Sequence, residues 1–277
     1  MVLLRHYVQK MKNNIIEKTV SKAELIEIFR SVGVTSGMII ELHIAMSKLG
    51  HVIGGAQTVI DALLEILGYN GTLIMAMQCA ENSEPSLFIN PPLNFALYQK
   101  YRNTYPVFNP KDSETFHMGR VLGNLRRREK AVFSSHPNVA FVAIGKYAKL
   151  LCNHQNLDFA LDESSPLGRL YELKASALLV GVDYDNMTSL HLSEYKSEAR
   201  PIVLNGAAIN ENGHRVWKKF YELDMDADDF IKIGERLEKQ NLVYKTSFNQ
   251  ANIKMVRIDY AVDEGIKYFK ERYKYYR

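Results

Sequence analysis

Apolar positions in this chain follow two rhythms. Some recur three and four residues apart, which marks a helical face, and others form short unbroken runs, which mark buried strands. Ser21-Lys22-Ala23-Glu24 has the form of a capping box and opens an amphipathic helix through Phe29. Gly37 closes a turn, and Met38-Ile39-Ile40-Glu41-Leu42-His43 reads as a strand. A loop through His51 to Ala56 leads to a helix over 58–67, with Ile60, Leu63, Leu64 and Leu67 on one stripe. Gly68-Tyr69-Asn70-Gly71 turns the chain into a strand over 72–77, which completes a βαβ unit.

Five of the eight prolines fall between 80 and 117, among several aromatics. That segment reads as an irregular excursion or lid, not a linker. Beyond it the pattern predicts a helix over 118–128, a strand over 139–144, a helix over 147–151 and a buried strand over 177–182. Residues 201–208 and 214–221 flank Asn210-Glu211-Asn212-Gly213 as a hairpin. A helix over 228–239, a strand over 253–258 and a closing helix rich in Tyr and Lys follow. Helices and strands alternate throughout, so 1–277 reads as a single α/β domain with an inserted excursion.

Composition narrows the function. The chain has 277 residues and is 47% hydrophobic, enough for a sizeable core. Lys and Arg total 35 against 31 acidic residues, and a net charge of +4 is too balanced for a dedicated nucleic-acid binder. The basic cluster Arg126-Arg127-Arg128 and Lys130 reads as a solvated helix end or a phosphate contact. With only Cys79 and Cys152, no disulfide framework is implied. No apolar run has the length of a membrane span. Arg5, Lys10 and Lys12 lie among apolar residues without a signal-peptide core or cleavage site. A cytoplasmic setting is expected.

Chemistry concentrates after the strand over 177–182, where Thr188, His191 and Glu194 recur every three residues. On a helix starting near Thr188, they would share roughly one face at the C-terminal edge of a strand, where open α/β sheets hold ligands. A carboxylate can orient an imidazole, and an imidazole can take a proton near neutral pH. The competing reading is an N-capping Thr, a half-buried His and an exposed Glu on a surface helix. The trio alone leaves both open.

Three ordered segments resemble the aminoglycoside N3-acetyltransferase family, the antibiotic N-acetyltransferases that use acetyl-coenzyme A. They are Leu42-His43 through Leu49-Gly50 and on to Gly54-Gly55-Ala56-Gln57-Thr58; Ser134-Ser135-His136-Pro137-Asn138-Val139-Ala140-Phe141; and Ser165-Pro166-Leu167, with Leu178 to Val182 and Thr188 to Tyr195. Each is weak alone, but their order is specific. The resemblance implies a mixed β-sheet sandwiched by helices. It implies acetyl transfer from acetyl-coenzyme A to the 3-amino group of a 2-deoxystreptamine aminoglycoside, which confers antibiotic resistance. His191 would be the base, Glu194 its support, and Thr188 or a nearby N–H the oxyanion donor.

The same resemblance places coenzyme A along His43, Ile44, Ala45, Met46 and Ser47, with Gly54, Gly55 and Ala56, and puts His136 beside the cleft. His136 also reads as a loop His ordering a turn. The family usually has His-Ser-Ser-Leu-Ser-Ser where this chain has His43-Ile44-Ala45-Met46-Ser47-Lys48. Each lost hydroxyl that contacts coenzyme costs about 1 kcal/mol, and Lys48 can offset part through phosphate. His43 also reads as a structural strand-end residue, and His117 and His154 as loop histidines. No metal site is implied, since His191 and Glu194 lack a third ligand. Glu222, Asp224, Asp226, Asp228 and Asp229 would attract a polycationic acceptor, while Asp228 and Asp229 also read as favouring the start of the next helix. Asp158, Asp162 and Glu163 form a second acidic cluster. The expected partners are coenzyme A and a small amine, with no nucleic acid or membrane, in a monomer or homodimer. The alternatives are the same fold acting on a different amine, or a coenzyme A-binding protein with little turnover.

Overall fold

A seven-stranded mixed sheet positions the site. The computed structural model describes residues 16, 18–115 and 118–273; Arg5, Lys10, Lys12 and His117 lie outside the described residues. Strand β1 (Thr19–Val20) leads into helix α1 (Lys22–Ser31). The predicted capping box is present, with Ser21 Oγ accepting from the Glu24 N–H at 3.3 Å and the Ser21 N–H donating to Glu24 Oε2 at 2.8 Å. Then follow β2 (Ile39–Ile44), β3 (His51–Val52), α2 (Ala56–Leu67), β4 (Thr72–Gln78), α3 (Tyr98–Thr104) and α4 (Gly119–Arg126). The next elements are β5 (Val132–Phe133), β6 (Val139–Gly145), α5 (Ala148–Cys152), α6 (Pro166–Glu172), β7 (Ser176–Val180) and α7 (His191–Ser197). The chain continues through β8 (Ile202–Glu211), β9 (His214–Leu223), α8 (Phe230–Lys239), β10 (Val243–Phe248), β11 (Ala251–Arg257) and α9 (Ile258–Arg272).

The sheet order is β10-β11-β7-β2-β4-β6-β5. Strand β2 runs parallel to β4 and β7, and the remaining neighbours pair antiparallel. The predicted βαβ unit is therefore β2-α2-β4. Central strands carry near-continuous apolar residues because both faces are covered. Leu25 and Phe29 of α1, six residues of α2 and Val121, Leu122 and Leu125 of α4 bury one face. Helices α5 to α9 cover the other with Leu151, Leu170, Leu192, Phe230 and Phe269. Each fully buried Leu or Phe contributes roughly 1.5–3 kcal/mol. Leu64, expected on the buried stripe of α2, is only partly buried, and Val59, Ala62 and Ile66 share that face instead.

Strands β8 and β9 form a separate hairpin whose turn residues Asn212 and Gly213 both have positive φ, +54° and +84°. A two-residue turn of that kind matches strand twist and suits Asn-Gly. Described residues of the 80–117 segment dock on this hairpin. The Asn82 side chain bonds both the N–H and the C=O of Ala208, and Arg215 Nε donates to the Tyr105 carbonyl at 2.8 Å. The segment includes α3, tied back by Arg102 to Glu84. Arg126 donates to the carbonyls of Pro110 and Ser113, both at 2.9 Å, and Arg128 pairs with Asp61 at 2.8 Å. Those arginines of the basic cluster thus fasten loop and helix. Among the described residues no helix is long and apolar enough to cross a membrane.

Candidate active site

The chain leaves β7 through Gly181 and makes a 3₁₀ turn over Thr188–Leu190 that passes directly into α7. Met187, not Thr188, holds the N-cap position, and no side chain caps the turn. Glu198 ends α7 in the left-handed region at φ +53°, and Pro201 prevents the helix from resuming. This reversal brings Arg200 back to Glu194.

Glu194 is fully buried, contrary to the surface-helix reading. Its Oε2 lies 2.5 Å from His191 Nδ1. Its Oε1 accepts from Arg200 Nε at 2.5 Å and from the Asp226 N–H at 3.2 Å. Arg200 in turn donates through Nη2 to the Asp226 carbonyl at 2.8 Å and lies over the Phe269 ring. A buried carboxylate needs such partners to stay ionised. The imidazole packs edge-on to Phe230, with centroids 4.8 Å apart, and keeps 15% of its side chain exposed. With Nδ1–H donating to Glu194, Nε2 retains a lone pair that can accept a proton.

His191 and Thr188 line a cleft of about 870 Å³ whose other wall includes His43, Ile44, Ala45, Met46, Ser47, Gly54 and Gly55. The structure therefore brings together the trio and the loop that the sequence kept far apart. Ala56 opens α2 beside Gly55 without lining the cleft. Gly54 needs its hydrogen side chain, since a Cβ at φ +78° would meet Thr58 Oγ1 at 2.3 Å. Gly55 is the N-cap of α2 and offers no side chain to the first-turn N–H groups. The 45–49 loop is pinned from behind. The Ala45 N–H donates to the Val180 carbonyl at 2.9 Å, and Asn249 Nδ2 donates to the Leu49 carbonyl at 2.7 Å.

Other candidates sit elsewhere. His136 is buried and does not line the cleft. Its Nδ1 accepts from the N–H groups of Asn138 and Val139, both at 3.2 Å, so Nε2–H donates to the Leu157 carbonyl at 3.0 Å. Burial holds its pKa down at about 4, and the ring serves the turn before β6. His154 is exposed and bonds Asn156 at 2.7 Å. Lys48 does not line the cleft; its Cβ would be 2.7 Å from a Cβ at Gly181. The acidic stretch 222–229 also stays out of the wall. Glu222 instead accepts from the Tyr195 hydroxyl and the Ala160 N–H, and burial pushes its pKa up. Asp229 binds Tyr268 and Arg272.

Arg200 was not among the sequence candidates. Its signal was indirect: a carboxylate predicted to serve an imidazole from inside the fold requires a cation nearby, and Arg200 is the first arginine after it. Among the described residues, the cleft wall also includes Arg120, His51 and a single carboxylate, Asp185. No group of three or more His, Cys, Asp or Glu among the described residues is arranged to hold a metal.

The family model for aminoglycoside 3-N-acetyltransferase matches residues 42–270. A SPbeta prophage-derived aminoglycoside N(3')-acetyltransferase-like protein, YokD of Bacillus subtilis, is 34% identical over 259 residues, covering 92% of this chain and 95% of that protein. Its crystal structure superposes with a TM-score of 0.90 over 93% of this chain and 96% of that one, at 32% identity. Aminoglycoside N(3)-acetyltransferase VIII of Streptomyces fradiae is 34% identical, over 74% of this chain and 72% of that protein. The crystal structure of aminoglycoside acetyltransferase AAC(3)-Xa has a TM-score of 0.84 at 29% identity, over 96% and 98% of the two chains. The mixed sheet between helical layers is the fold that the resemblance implied. The chain belongs to the aminoglycoside 3-N-acetyltransferase family and is an acetyltransferase of that family.

Proposed function

We propose that this chain transfers the acetyl group of acetyl-coenzyme A to the 3-amino group of a 2-deoxystreptamine aminoglycoside, with His191 as the base. One observation carries the reading: the His191 imidazole, with Nδ1 tied to buried Glu194, opens onto the cleft that the 43–55 loop also lines. An amine reacts only as the free base, and His191 Nε2 is placed to take its proton. Glu194 fixes the tautomer and balances the imidazolium that forms, and Arg200 pairs with its other carboxylate oxygen. Thr188, lining the same cleft, is the oxyanion donor.

The residues of the donor side fit a long thioester. His43, Ile44, Ala45, Met46 and Ser47 form a wall fastened to β7 and to the β10–β11 turn. Gly54 and Gly55 allow close backbone approach, and the uncapped N-terminus of α2 suits a pyrophosphate. Ile44 and Ala45 themselves offer a ligand only their backbone groups. A thiol-release assay across a panel of aminoglycosides, with the acetylated nitrogen located by NMR, tests the reading. Product acetylated at the 3-amino group is expected, and no turnover on any aminoglycoside would remove the acceptor assignment.

A second reading keeps the chemistry and changes the acceptor to an amine with fewer positive charges. It is favoured by the cleft wall, where Asp185 is the only carboxylate among the described residues. A polycation draws affinity from several carboxylates. Including simple monoamines and amino sugars in the same panel separates the two, since activity confined to them selects this reading.

A further inference from the structure

We propose that Glu41 and His43 form a second acid–base pair, on the donor side of the cleft, that protonates the departing thiolate of the acetyl donor. This rests on the reading of the cleft above. Both residues lie on β2 two positions apart, so both point to the same face of the sheet. That face is the one covered by α5 to α9, because Glu41 and His43 stand opposite Ala177 and Leu179 of β7, whose side chains belong to that core. His43 sits where the strand ends and lines the cleft, while Glu41 lies one step deeper and is fully buried.

The pair is unusual in what it lacks. His43 Nε2 is 3.3 Å from Glu41 Oε2, yet neither Glu41 oxygen nor that nitrogen has a well-directed hydrogen bond among the described residues. His43 is also the only ion-pair partner of Glu41 among them. An unpaired carboxylate buried at such a position is strongly destabilising. The proposed role requires the pair to carry one proton between its members, on the imidazole or on the carboxyl. A side chain chosen only for packing in the middle of a seven-stranded sheet would be apolar, like Ile40 and Leu42 beside it. With Nε2 turned to Glu41, Nδ1 is the nitrogen left to serve the cleft.

The reaction needs such a proton. As the acceptor nitrogen bonds to the carbonyl carbon, His191 takes the proton that nitrogen loses. When the tetrahedral intermediate collapses, the carbon–sulfur bond breaks and its electron pair leaves on sulfur. His43 gives that sulfur its Nδ1 proton, and Glu41 either returns a proton to Nε2 or balances the charge that was there. His191 then loses its proton to solvent and the Glu41–His43 pair regains one, so the enzyme returns to its starting state. Two separate proton carriers let one side of the cleft stay basic while the other stays acidic.

The test compares donors whose leaving thiols differ in acidity. Acetyl-coenzyme A releases an alkyl thiolate that needs a proton, whereas S-acetyl-thionitrobenzoate releases an aryl thiolate that does not. His43→Gln and Glu41→Gln are expected to lose about 10²-fold in kcat with acetyl-coenzyme A and about threefold or less with the aryl donor. Calorimetric titration with coenzyme A identifies variants that fold and bind. The wild-type enzyme, across a series of acetyl thioesters, is expected to depend only weakly on thiol acidity. Equal losses on both donors in variants that bind coenzyme A, no loss on either donor, or a steep wild-type dependence would overturn the proposal. His191→Ala run in parallel separates the two readings. Its failure to lose activity removes the base assignment, whereas its loss on both donors without donor dependence in the His43 variant removes only the second pair.

Discussion

Arg200 Nε and Glu194 Oε1 are 2.5 Å apart, on the side of the carboxylate away from the imidazole. One buried carboxylate thus spans a permanent cation and a titratable one, with the Asp226 N–H as its third partner. The Arg200 side chain is only 11% exposed, so solvent screens this contact little. The guanidinium and the imidazole thus take one carboxylate oxygen each.

Removing that cation leaves a buried carboxylate with only the imidazole and the Asp226 N–H as partners. Arg200→Ala is expected to lower the unfolding free energy by about 3–5 kcal/mol, the usual cost of breaking a buried pair from one side. Arg200→Lys keeps the charge without the planar fork and is expected to recover part of the loss. Urea unfolding of the three proteins measures this.

The cleft wall proposed to hold the donor offers a steric test. Gly181 has φ +67°, and a Cβ there would sit 2.7 Å from Lys48 Cβ and 3.1 Å from the Ala45 carbonyl oxygen. Gly181→Ala must therefore push the 45–48 loop outward or strain the end of β7. The KM for acetyl-coenzyme A is expected to rise by about tenfold, the equivalent of 1.4 kcal/mol, with the acceptor KM changed much less. Steady-state kinetics with each substrate varied in turn reads the difference.

His136 predicts a pH dependence of stability rather than of catalysis. Its folded pKa of about 4 lies below the ordinary 6.5 because burial disfavours the charged ring. The unfolded chain therefore binds the extra proton first as pH falls. The contribution of this residue is complete above pH 6.5 and is lost progressively down to about pH 4, up to about 3 kcal/mol. His136→Asn is expected to flatten the dependence of unfolding free energy on pH across that window by a comparable amount. Denaturant unfolding at intervals between pH 4.5 and 7 compares the two slopes.

Local pattern carried much of the fold. The capping box at Ser21, the apolar runs of β2, β4, β6 and β7, and the Asn212-Gly213 turn are each decided by neighbouring residues, and each appears where expected. Strand β10 was not expected, because Val243-Tyr244-Lys245-Thr246-Ser247-Phe248 is an edge strand with one wet face and no strong apolar run. The 3₁₀ turn at Met46–Leu49 draws no prediction either, since short 3₁₀ segments leave no periodic signature.

The candidate site divided along the same line. Spacing of three between His191 and Glu194 is a local signal, and their contact follows from helix geometry. The order of short motifs along the chain identified the family that the comparisons then showed. The partnership of Glu194 with Arg200 depends on a chain reversal after α7, and the isolation of Glu41 depends on what packs over β2. The separation of His136 from the cleft depends on the tertiary bond that its ring makes to the Leu157 carbonyl. None of these three follows from residue type and spacing alone.

His191 Nε2 as the proton acceptor is the centre of the proposed chemistry. Steady-state kinetics of His191→Ala, combined with a coenzyme A titration of the same protein, tests it in one preparation. The expected result is a fall in kcat of about 10²–10⁴-fold with coenzyme affinity nearly unchanged. Full activity in a variant that binds coenzyme A as the wild type does would contradict it.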